Sequence, residues 1–134
     1  MAGELRKTAL ESDDIESELI DVPEWHAKGS DKPLVFEVRG MSSKERSKLL
    51  KSATRDGEVQ MEQWFPDLII ATVFDPETGE QVFERADRAA LNAKSGAVIS
   101  AIADVSARLS GLGDTDVQAA KEELSGETLN PDST

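Results

Sequence analysis

One imidazole, no thiol and a surplus of carboxylates are what this chain offers for chemistry. His26 is the single histidine, so a nucleophilic triad or a histidine general base has to be built on it, and no motif surrounds it. Zinc asks for several His or Cys ligands, which one His and no Cys do not supply. Asp114-Thr-Asp116 opens like a calcium loop, but Ala119 stands where the turn glycine belongs and Ser125 where the bidentate Glu belongs. Helix capping accounts for it better. Gly111-Leu-Gly113 follows an expected helix, whereas a phosphate-binding glycine turn follows a strand. Carboxylates abound, yet no apolar, aromatic stretch flanks a pair of them to set an acid against a base. The sequence therefore predicts no enzyme, no cofactor, and no catalytic, cofactor-binding or metal-binding residue. It leaves the partner-binding residues unassigned.

Charge narrows the partners. Twenty-seven acidic and 15 basic side chains give a net charge of -12, and phosphate binding needs the opposite sign, so nucleic acid is not expected as a partner. The excess sits at the ends: nine acids and three bases in residues 1–31, and six acids and one base in residues 110–134. The absence of cysteine fits a reducing compartment. No stretch approaches the roughly 18 apolar residues of a membrane span, and the first residues lack a signal peptide's apolar run. A cytoplasmic protein with no membrane contact is the expectation.

At 134 residues with 38% apolar side chains, the chain has material for one modest core. Residues 1–21 hold Leu5, Leu10, Ile15, Leu19 and Ile20 among many acids, which predicts an acidic mobile arm. One globular domain is expected over residues 22–124. In Pro33-Leu-Val-Phe-Glu-Val-Arg39 the residues Leu34, Phe36 and Val38 share a face, the mark of a half-buried strand, with Val22 to Trp25 as its antiparallel partner across the turn at Lys28 to Pro33. Ser42-Ser-Lys-Glu45 has capping-box spacing and starts a helix to about Thr54, which turns Lys44, Arg46, Lys48 and Lys51 outward as the chain's one basic cluster.

Met61, Phe65, Leu68 and Thr72 argue for a helix from Glu58 to Val73, in two pieces joined at Pro66; the β-branched run Leu68 to Phe74 also suits a strand. Asp75-Pro-Glu-Thr-Gly79 is turn chemistry, with Glu80 to Phe83 returning as an extended piece. Leu91, Val98, Ile102, Val105, Leu109 and Leu112 form the seam of a second helix from Asp87 to Leu109, broken near Ser95-Gly96 and capped by Gly111 and Gly113. A last helix is expected from Thr115 to Leu124, and a disordered polar tail over residues 125–134. Trp64 suits the core, while Trp25 suits core and interface equally. The fold class is α+β, mainly α: a short N-terminal β-hairpin, then a small helical bundle, with disordered acidic ends.

The run from Trp64 to Phe83 resembles the central block of the tail assembly chaperones of long-tailed phages. The likeness extends over roughly Val22 to Glu123: Val22-Pro-Glu-Trp25, the strand with Val35, Glu37 and Val38, Met41-Ser-Ser-Lys-Glu-Arg46, the Pro66 to Val73 block, Asp75 to Phe83, and the Leu109-Ser-Gly-Leu112 ending. Order and spacing carry it. It implies a phage tail assembly chaperone that binds the tape measure protein, keeps it soluble and helps recruit tail tube subunits. It also implies a longer frameshifted form of the chain, work in the host cell cytoplasm, and absence from the mature virion. It transfers no site residues. Two other readings stay open: a structural tail or connector subunit, and an acidic DNA-mimic inhibitor of a nucleic-acid-binding protein.

Overall fold

Strand alternation begins earlier than the acidic composition of the first residues suggests. The computed structural model describes residues 2–112, and in it β1 runs over Ser17–His26, so residues 17–21 belong to the sheet and not to a mobile arm. Ile20 and Val22 turn toward the core while Leu19 and Asp21 turn away, a period of two that the surrounding acids hide from a composition count. Before it, α1 (Ala2–Glu11) is a helix with no buried residue.

β2 (Pro33–Arg39) pairs antiparallel with β1, setting Ile20 opposite Phe36 and Val22 opposite Leu34, with a register shift between Val22 and His26. α2 (Ser43–Ala53) follows with the expected capping box: Ser42 Oγ accepts from the Glu45 amide at 3.2 Å, and Glu45 Oε1 accepts from the Ser42 amide at 3.0 Å. Ser42→Ala removes one half of that exchange and is expected to cost about 1 kcal/mol in urea unfolding, with Ser43→Ala as the neutral control.

The helix expected from Glu58 starts later. β3 (Thr54–Arg55) and β4 (Glu58–Val59) form a minimal hairpin first. Its two turn residues, Asp56 and Gly57, have φ of 55° and 80°, as a type I′ turn demands. α3 (Met61–Thr72) is then one helix and not two pieces joined at Pro66. Proline removes the amide that the Glu62 carbonyl would have received, and Asn92 Nδ2 donates to that carbonyl at 2.8 Å instead. Helix and strand both claim the apolar run: α3 ends at Thr72, and β5 (Val73–Phe74) adds to β2, giving the order β1-β2-β5.

The Asp75 turn forms as read, with Asp75 Oδ1 accepting from the Glu77 amide at 2.8 Å and Gly79 at φ 77°. Phe74 bridges Gln81 on the return. A 3-10 turn at Arg85–Asp87 leads into α4 (Arg88–Asn92), and after the expected break α5 covers Gly96–Leu109. Gly111, at φ 79°, closes α5: Leu112 N–H donates to the Ala107 carbonyl at 2.6 Å and Gly111 N–H to that of Arg108 at 3.2 Å. Gly113, the helix expected from Thr115 and the tail over 125–134 lie outside the described residues. The result is α+β.

Two apolar clusters hold these elements. One gathers Val22, Phe36 and Val38 of the sheet with Ile69, Leu91, Val98 and Ile102; the other gathers Met41, Ala53, Trp64, Leu68, Ala103 and Ala107. α3 and α5 contribute to both. Between the helices, fully buried Thr72 and Ser106 place their hydroxyls 2.7 Å apart, and each reaches a carbonyl one turn back, Leu68 at 2.7 Å and Ile102 at 3.1 Å. Each hydroxyl proton therefore has an acceptor, and a polar pair sits in the core without an orphan.

Candidate partner-binding groove

Trp25, Phe36 and Phe83 come from three separate segments and meet edge to face, with ring centroids 6.1, 6.5 and 5.9 Å apart. That geometry sets the positive ring edges against neighbouring π faces. The sheet positions two of the rings: Phe36 is buried under β2, and Trp25 sits half-buried near the end of β1, past the register shift. Phe83 arrives on the return from the Asp75 turn.

Beside the triad lies an open groove of about 650 Å³, with Leu91 on its floor and Leu34 and Val82 on its walls. Leu34 and Val82 remain 39% and 38% exposed, so the apolar lining continues to the rim. Glu24, His26, Asp87 and Lys94 complete the border, and Lys94 Nζ stands 5.9 Å over the Trp25 ring. An apolar trough with its charges confined to the border suits an apolar side chain or helix stripe better than a polar metabolite.

None of the family models, curated proteins or solved structures compared with this chain matches it.

Trp25 takes up both roles open to it: half-buried, it packs against the sheet cluster and also lines the groove. Trp64, 2% exposed, belongs to the second apolar cluster. His26 borders the groove, with Nδ1 3.3 Å from the carbonyl of Ala27, a contact inside its own turn. The basic residues of α2 stand apart from this site; Arg46 turns toward the end of α5 and its guanidinium donates to the Ser110 carbonyl at 3.3 Å. Asp114 and Asp116 fall outside the described residues. The convergence of Leu34, Val82, Phe83 and Leu91 on this groove is not legible in the sequence. Nothing in the spacing of residues 25, 36, 83 and 91 signals that they converge, since register and the return of one turn bring them together.

Proposed function

We propose that this chain is a tail-assembly chaperone: it holds an apolar helical stripe of a tape measure protein, keeps that protein soluble, and helps recruit tail tube subunits to it. The supporting observation is the aromatic groove, an apolar surface left open on a chain whose net charge is -12. Long apolar helices aggregate unless covered, and a strongly charged partner that covers them keeps the complex dispersed by like-charge repulsion. The proposed place of action is the host cytoplasm, before the virion is complete. No helix among the described residues is long and apolar enough to cross a membrane.

Co-expression tests the reading. The intact chain is expected to move an otherwise insoluble tape measure protein into the soluble fraction. Leu34→Asp with Val82→Asp places two charges on exposed groove walls, and is expected to weaken that complex about tenfold or more while the melting temperature holds. A tape measure protein that stays insoluble beside the intact chain sinks the proposal, as does a double variant that solubilises equally well. Recovery of the chain from purified mature virions would favour the structural-subunit reading instead.

A further inference from the structure

The far edge of the sheet carries a second surface, independent of the aromatic groove. In the order β1-β2-β5 the outer side of β1 pairs with no strand among the described residues. Over residues 20–24 that edge faces Val98, Ala101, Ile102 and Val105 of α5 across a trough of about 340 Å³. Unpaired amides and carbonyls beside an apolar wall are the two parts of a strand-addition site: the backbone supplies hydrogen bonds, and the wall receives alternate side chains.

We propose that this trough takes an extended segment of another protein in which Lys or Arg alternates with apolar residues. Charge selects that occupant. β1 holds no Lys or Arg in its ten residues; Asp21 and Glu24 line the trough, and Glu18 beside it is held by Arg108. Pairing with β1 of a second copy brings together two edges that hold acids and no Lys or Arg, which is disfavoured. The chain's own residues 113–134, with six acids and one base, are repelled by the same charges. A basic strand is attracted, and Arg108, already 2.6 Å from Glu18, marks how a guanidinium meets this edge. Pro23 has no N–H to offer and the register shifts beyond Val22, so added pairing is confined to residues 17–22.

Amide hydrogen exchange on the full chain, with a capped peptide of about eight alternating lysine and valine residues as the probe, tests the site. Exchange at the outward amides of residues 17–22 is expected to slow about tenfold, as backbone pairing requires. That protection is expected to vanish with the peptide N-methylated at alternate amides, with a glutamate-valine peptide, and in Ala101→Gln, whose exposed position leaves the fold intact and the trough filled. Protection elsewhere, none at all, or equal protection by the control peptides overturns the proposal. Without peptide, protection that rises with protein concentration assigns the edge to a second copy, and protection at every concentration assigns it to the chain's own C-terminal residues; either overturns it too.

Discussion

Gly40→Ala is expected to destabilise the protein by about 2–3 kcal/mol and to lower its melting temperature by about 10 °C or more. A Cβ on Gly40 would run into the carbonyl oxygen of Leu109 and lie 3.0 Å from that residue's carbonyl carbon, and both are backbone atoms that no rotamer change removes. The crowding has a cause. Gly40 N–H donates to the Glu16 carbonyl at 2.9 Å, and Met41 N–H donates to buried Ser110 Oγ at 3.0 Å, so the corner between β2 and α2 is held to the start of β1 on one side and to the end of α5 on the other. Two other glycines make the controls. Gly3 has open space around it, and its change to alanine is expected to be neutral or mildly stabilising; Gly29 also has open space but sits at φ 81°, so its cost is backbone strain alone. A Gly40→Ala variant that melts within about 2 °C of the parent would show that α5 yields at no cost.

Arg88→Met is expected to cost about 2–4 kcal/mol in urea unfolding. Arg88 grips Asp67 through two parallel hydrogen bonds of 2.9 Å, tying α4 to α3. The Asp67 side chain is only 10% exposed, so its carboxylate without the guanidinium is a partly buried charge with water on a small fraction of its surface. The Arg88 side chain is 33% exposed, which screens the pair and keeps the expected loss below that of a fully buried one. Asp67→Leu combined with Arg88→Met removes both charges, and is expected to recover most of the stability. A single variant that loses less than about 0.5 kcal/mol would place the pair among ordinary surface contacts.

Features that local backbone chemistry decides could be read directly: the Ser42 capping box, the Asp75 to Gly79 turn, the break before Gly96 and the Gly111 cap all formed where the residues placed them. Features that depend on distant residues did not yield to such reading. Pro66 argued for a broken helix because the sequence around it cannot show that Asn92, thirty residues beyond Glu62, replaces the lost donor. The strand at residues 17–21 was missed for another reason: acids interleave with its apolar positions, and composition averages over the alternation. Asp56-Gly57 is a legible hairpin signal that the two helices expected on either side of it pass over. The groove was the least accessible feature, since Trp25, Phe36 and Phe83 acquire a joint meaning only after the sheet register and the Asp75 return are fixed.

α3 and α5 each present one side to the sheet cluster and another to the Trp64 cluster. Neither cluster therefore owns its helices, and melting one of them strips the other of two walls at once. Heat or denaturant should meet a single sharp transition with fluorescence from Trp25 and Trp64 changing in step, because a half-melted form has nothing left to stand on.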